Sequence, residues 1–305
     1  MDLKQLQYFV SVVETGGFSR AASALNLAQP SLSRQIALLE EELEQRLLIR
    51  TGRGVQPTEA GAALLQHARN MLDTARRAQS ELRDLHSSPS GRIAVGLPPR
   101  VAVRIGVPLV QRFRARFPRA VITLIEGLSL GLREQLIGGR LDLGLLFDPQ
   151  PSPLLEYRPL TRERLLLFAP RGTLLPARVG LASLADYPMI LASAPNAIRA
   201  QVDAAIRPKQ IELKVVAEVG AVQTALALVM AGVGATILPE SALHLHPEGG
   251  KLPRAVIGPP HLWNSLVLAM PRTVPGTRLV SGTVQLIREM DIRQALPGSG
   301  PSGRA

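Results

Sequence analysis

The sequence predicts an α+β chain of several domains: a small helical unit closed by a hairpin, one long helix, and a larger α/β region. Three observations carry this reading. Two short helix patterns meet at a tight corner between Phe18 and Leu43. Apolar residues then recur at alternating spacings of four and three from Leu64 to Leu85 without a slip. Beyond Arg92, strand and helix patterns alternate as far as Arg293. At 305 residues, two or three domains are the natural expectation.

In chain order, Leu3 to Glu14 reads as a first helix, with Asp2 as its cap and Leu6, Phe9, Val10 and Val13 on one face. Gly16-Gly17 stops it. Ser19 is the expected cap of the next helix, and Asn26, which tolerates the left-handed conformation, its end. Pro30 suits a first helical position. After it, Leu32, Ile36, Leu39 and Leu43 define a buried face, while Gln29, Ser31, Ser33 and Arg34 lie opposite near the start. Helix, short turn and helix with a polar N-terminal face is the helix-turn-helix pattern, whose second helix enters a DNA major groove. Leu47 to Arg50 and Val55-Gln56, around a glycine-containing turn, form a hairpin that reads as a wing. Arg50 and Arg53 on it suit flanking phosphates. These elements make a domain of residues 1–58.

A long helix follows over 59–86. Leu64, Ala68, Met71, Ala75, Ala78, Leu82 and Leu85 are an a/d seam, which predicts pairing with the same helix of a second copy; an amphipathic helix packed on its own domain is the alternative. Residues 87–91 are a hinge rich in Ser, Pro and Gly. The strand–helix alternation over 92–293 implies a parallel sheet with helices on both faces. Two lobes account for it, one from about 92–161 with 266–293 and one from about 162–265. The tail, 294–305, is expected to be disordered.

Composition narrows the function classes. The chain has no cysteine, which excludes disulfides, thiolate metal sites and cysteine nucleophiles. No apolar run approaches a membrane span and the N-terminus lacks a secretory build-up, so a cytoplasmic protein is expected. The net charge is +11, yet residues 1–90 carry ten basic and ten acidic side chains, so the excess lies entirely beyond them. The helix-turn-helix therefore does not hold DNA by bulk charge.

The stretches "LQYFV", "GGFSRAA", "AQPSLSRQI", "LEEEL" and "TEAG" closely resemble the N-terminal domain of LysR-type transcriptional regulators, over about 60 residues. "GRLDLGLLFD" and "MAGVGATILPESA" resemble that family's effector domain, a two-lobed fold like periplasmic binding proteins. "GLPPR", "IEGLS" and "LLFDP" are similar to the nitrogen-assimilation-control subgroup. The resemblance implies a regulator that binds a double-stranded DNA operator as a homodimer or a dimer of dimers, with a small-molecule effector in the cleft between lobes. It places Gln29, Pro30, Ser31, Ser33 and Arg34 at the start of the recognition helix, with Gln29 and Ser33 as base-edge candidates. It maps the effector cleft to Pro98, Pro99, Arg100, Ser129, Phe147, Asp148, Ser193 and Asn196. Many relatives have Ser or Thr where this chain has Pro98-Pro99, which removes donors there. Arg100 beside the prolines suggests an anionic effector.

Two rival readings remain. Gly127-Leu128-Ser129-Leu130-Gly131 matches the G-x-S-x-G elbow of serine hydrolases, with Asp148 or Asp186 and His244, His246 or His261 downstream. No oxyanion loop of the HGGG type precedes it, and the helix-turn-helix would be unexplained. A solute-binding transport protein would fit residues 91–293 but not residues 1–60. No histidine has a metal-ligand partner at useful spacing, and no cofactor is expected. Trp263 reads as packing.

Overall fold

The computed structural model describes residues 1–52, 54–84, 89–246, 248–272, 277–296 and 299–300. It divides into two units, Met1–Ser87 and Ser88–Ala305.

In the first unit, α1 (Leu3–Thr15) carries a full capping box: the Asp2 carboxylate accepts from the Gln5 amide and the Gln5 side chain accepts from the Asp2 amide. Gly16, at φ +69°, ends it. Helix α2 (Phe18–Ala24) starts two residues earlier than expected, so Gly17 and not Ser19 is its cap. The reason is packing: Phe18 lies against the domain core, while Ser19 is exposed in the first turn. Asn26 does adopt the left-handed conformation, at φ 54°. Helix α3 (Gln29–Glu42) begins at Gln29, putting Pro30 second in the helix. Leu32, Ile36 and Leu39 on α3 join Leu6, Phe9 and Val12 on α1 in one fully buried core.

The hairpin of β1 (Leu48–Thr51) and β2 (Gly54–Pro57) is antiparallel, with Arg50 opposite Val55. It is tied down from two sides. The Glu40 carboxylate accepts from the Leu47 and Leu48 amides at 2.7 and 3.1 Å, and Val55 donates to the Gly16 carbonyl at 3.0 Å. Helix α4 (Glu59–Asp84) follows, about 40 Å long by its rise per residue. A Cβ at Gly61 would lie 2.0 Å from the Leu47 carbonyl oxygen, so only glycine lets α4 start this close to β1.

The apolar seam on α4 divides. Leu64, Ala68 and Met71 pack into the unit's own core, Ala68 completely. Ala75 is half-buried, Ala78 is exposed and Leu82 is 68% exposed. The first half of the seam is thus an intradomain contact, against the expectation of a seam wholly between copies. Leu85 and Arg53 lie outside the described residues, as do His86 and residues 87–88 of the hinge.

The second unit is built on β3 (Gly91–Leu97), α5 (Pro99–Arg116), β4 (Ala120–Glu126), α6 (Ser129–Ile137), β5 (Leu143–Phe147) and the long β6 (Leu155–Phe168). It continues through β7 (Arg178–Val179), β8 (Pro188–Ala192), α7 (Ala197–Ile206), β9 (Lys214–Val219), α8 (Val222–Met230), β10 (Ala235–Pro239) and β11 (Arg254–Ile257). The second long strand, β12 (Trp263–Pro271), precedes α9 (Arg278–Glu289), α10 (Ile292–Ala295) and β13 (Ser299–Gly300). The main strand order is β4-β3-β5-β12-β6-β10-β8-β9. Pairing is parallel within β4-β3-β5 and within β10-β8-β9, but β5-β12, β12-β6 and β6-β10 are antiparallel. The sheet is therefore mixed, not purely parallel as the alternation suggested, because β6 and β12 run side by side between the two parallel sets. One apolar core spans Leu165 to Leu262 and another joins Ile93–Phe147 residues to Leu266–Leu296 residues.

The tail departs from its expectation. Leu296 is fully buried, and Ser299-Gly300 pair with Glu163-Arg162 of β6, so at least these residues are ordered by burial and strand pairing.

Candidate functional site

Two sites emerge, one in each unit. The first is the start of α3. With Leu32, Ile36 and Leu39 committed to the core, the helical period turns Gln29, Pro30, Ser31 and Arg34 outward, all exposed, with Ser33 half-buried beside them. Ala28, the N-cap residue, supplies no side-chain bond. The first-turn amides consequently face outward beside neutral hydrogen-bonding side chains, which suits groove edges and a phosphate. On the wing, the exposed Arg50 guanidinium stands 5.4 Å from the Phe18 ring centroid, which sets it between hairpin and corner. Arg20 is occupied otherwise, donating to the Thr15 and Gly16 carbonyls.

The second site is a cleft of about 630 Å³ in the second unit. The N-termini of α5, α6, α7 and α8 all line it, at Pro98-Pro99, Leu128-Ser129, Asn196-Ala197 and Ala221-Val222. At α7 the Asn196 side chain caps the Ile198 amide, and at α5 the prolines offer no amide hydrogen. Helices α6 and α8 have no side-chain cap, so their first-turn donors and positive dipole ends are directed to the cleft. Seven of the eight expected residues line it; Ser193 does not, its amide pairing with the Val219 carbonyl at 2.9 Å.

Arg100 is placed differently from either sequence reading. It is 5% exposed, neither a surface arginine nor a free anion anchor. Its guanidinium pairs with the buried Glu163 carboxylate, donates to Ser241 and lies 4.4 Å over the Phe147 ring. Asn264, with its amide oriented to satisfy both ends, donates to Asp148 at 2.9 Å and accepts from Arg100 at 3.2 Å. Asp148 also accepts from the Ser265 amide, at 3.1 Å. Burial outweighs these bonds and raises the Asp148 pKa above its ordinary value. Arg199 and Arg207, also lining the cleft, hold Asp203, and Arg199 donates to Glu218 as well.

Arg133 is the exception, and the sequence reading missed it. It lines the cleft one turn after Ser129 on α6, its Nε is buried with no acceptor, and no ion pair holds it among the described residues. The spacing of four from Ser129 was the available signal. Ser129 itself is no hydrolase nucleophile: its hydroxyl accepts from the Phe147 amide at 2.8 Å, and no histidine lines the cleft.

Each unit matches a known protein family. Residues 3–62 match the profile described as "Bacterial regulatory helix-turn-helix protein, lysR family", and residues 86–291 match the "LysR substrate binding domain". The chain belongs to the LysR family of DNA-binding transcriptional regulators. It is 37% identical over 244 residues to the nitrogen assimilation regulatory protein nac of Klebsiella aerogenes, covering 79% of each chain. It is 34% identical to nac of Escherichia coli K12, covering 95% of this chain and 94% of that one. Among solved structures, full-length CbnR complexed with its target DNA matches at a TM-score of 0.64 and 25% identity, covering 94% of this chain and 99% of that one. The protein is thus a regulator with an effector-binding domain, not an enzyme, and the serine hydrolase reading has no support. Homo-oligomers and small-molecule effectors are typical of the family, and no helix among the described residues is long and apolar enough to cross a membrane.

Proposed function

We propose that α3 reads its operator through Gln29, Ser31, Ser33 and Arg34, with Pro30 fixing the helix start and Arg50 and Arg53 on the wing holding flanking phosphates. The observation that carries this reading is the division of α3 into a fully buried apolar face and an exposed polar one at its N-terminal end. Gln29 suits adenine bidentately, and Ser33 accepts or donates to either base of a pair. Dimers form through the free part of the α4 seam, Ala75, Ala78 and Leu82, continued by Leu85, and pairs of dimers fit the family. The protein acts in the cytoplasm, where its DNA is. The similarity to the two nac proteins supports nitrogen-assimilation genes as targets.

In the cleft, the effector is held among Pro98, Pro99, Ser129, Phe147, Asp148 and Asn196, with Ser193 supporting from outside the lining. Arg133, not Arg100, is the side chain that meets an anionic group, helped by the donors of α6 and α8. The prolines at α5 meet an apolar part of the ligand. Footprinting on the promoter beside the gene, with and without candidate carboxylates, tests both halves. A protected site whose boundaries shift with a carboxylate is expected, and the shift should vanish in Arg133→Gln while protection remains. Protection unaffected by any anion would remove the anionic effector from the reading; no specific protection would remove the operator.

A further inference from the structure

We propose that the face of β6 and β12 turned away from the cleft is a second ligand site, for a dianionic oxyanion held by Arg162 and Arg164 beside Trp263. Side chains alternate across a strand, and here the alternation separates two kinds of charge. Glu163 and Asn264 are cross-strand partners, each 1% exposed, and belong to the network around the cleft-lining Arg100. Their neighbours Arg162, Arg164 and Trp263 occupy the other face and are half-buried. Arg164 is directly opposite Trp263, and Arg162 is two pairs further along, opposite Ser265. Both guanidiniums crowd one ring, with Cζ 4.3 Å from its centroid for Arg162 and 5.1 Å for Arg164. None of the three lines the cleft.

These two cations are left unneutralised. The Nε of each is buried without an acceptor, and neither is ion-paired among the described residues. Contact with the ring offsets part of the cost of placing like charges together, but it supplies no negative charge and no acceptor for the N–H groups. A dianion supplies both. Two planar forks on one face match the several oxygens of a phosphate or of a dicarboxylate. Because β6 pairs with β12 in one lobe's sheet and with β10 in the other's, such a ligand would act as an input distinct from the cleft.

Trp263 is the chain's single tryptophan, so its fluorescence reports this place alone. The full chain is titrated with sodium phosphate and, separately, sodium succinate, with chloride holding ionic strength constant. A saturable change with either dianion is expected; phosphate alone would indicate a phosphate-bearing ligand and succinate alone a dicarboxylate. Arg162→Gln and Arg164→Gln should each weaken it about tenfold, the loss of one charge-assisted contact. Arg133→Gln, in the cleft, should leave it unchanged. Arg164→Lys, which keeps the charge and loses the fork, substitutes if a glutamine variant melts early, and should also weaken it. No response, the same response to chloride, persistence in both glutamine variants, or loss in Arg133→Gln would each overturn the proposal.

Discussion

At the start of α3, Gln29, Ser31 and Arg34 stand exposed on a helix whose other face is sealed in the core, and their unit carries little net charge. In the cleft of the second unit, Arg100, Arg199 and Arg207 are each held by a carboxylate, although that unit holds the chain's whole excess of +11. The unit that meets a polyanion is thus electrically modest, and the strongly basic unit pairs these three cleft arginines with its own carboxylates. Sequence-specific reading needs hydrogen-bonding groups whose partners are missing until the groove provides them. A cleft that opens and closes needs the reverse, a polar frame already satisfied, with one or two groups left for the ligand. Arg133 is such a group.

That contrast can be strained at several points. The largest effect is expected where the cleft's internal pairing is broken. Glu163→Ala leaves Arg100 buried without its counter-charge and should destabilise the protein by about 3–5 kcal/mol, measured by urea unfolding. A loss below about 1 kcal/mol would show Arg100 to be satisfied by Ser241 and Asn264 alone. In the first unit, Gly61→Ala pushes a methyl group onto the Leu47 carbonyl. It should cost about 1–3 kcal/mol and loosen the wing, seen as faster amide exchange at Leu47 and Leu48.

Leu82→Glu is expected to weaken dimers, because Leu82 is exposed, whereas Ala68→Glu should unfold the first unit, because Ala68 is enclosed by its own core. Light scattering separates the two: an unchanged mass for a folded Leu82→Glu would remove the α4 seam from the dimer. The smallest effect concerns Asp148. Its folded pKa lies above its ordinary value, so the folded state binds the proton more tightly than the unfolded chain. Stability is therefore eroded as pH rises from the ordinary aspartate range through the raised value. Asp148→Asn should accordingly be more stable than the parent at pH 7, with the gap closing below pH about 4, as read from unfolding midpoints across pH.

What could be read directly from the sequence was local. The cap at Asp2, the left-handed Asn26, the proline beside the start of α3 and the spacing of Leu32, Ile36 and Leu39 each act within one or two turns. The wing's anchor was not legible: only the fold shows that Gly61 lies against the Leu47 carbonyl. In the cleft the informative pairings are remote. Arg100 meets Glu163, 63 residues away, and Ser241, 141 away, so nothing near "GLPPR" reveals that its charge is already matched. The heptad on α4 was visible, but spacing alone does not tell whether an apolar stripe meets its own α1 or a second copy. Leu296 gave one apolar signal in a polar tail, too little to foretell that it is buried.

Recognition of DNA by α3 is what the regulator's specificity depends on first. The measurement is the affinity of the parent and of Ser33→Ala for the operator and for random duplex of equal length, each across a range of salt. We expect the variant to lose about 1–3 kcal/mol on the operator, with random-sequence binding and the salt slope unchanged. An equal loss on both duplexes, or a flatter salt slope, would mean that Ser33 serves the backbone and that this face of α3 does not read bases.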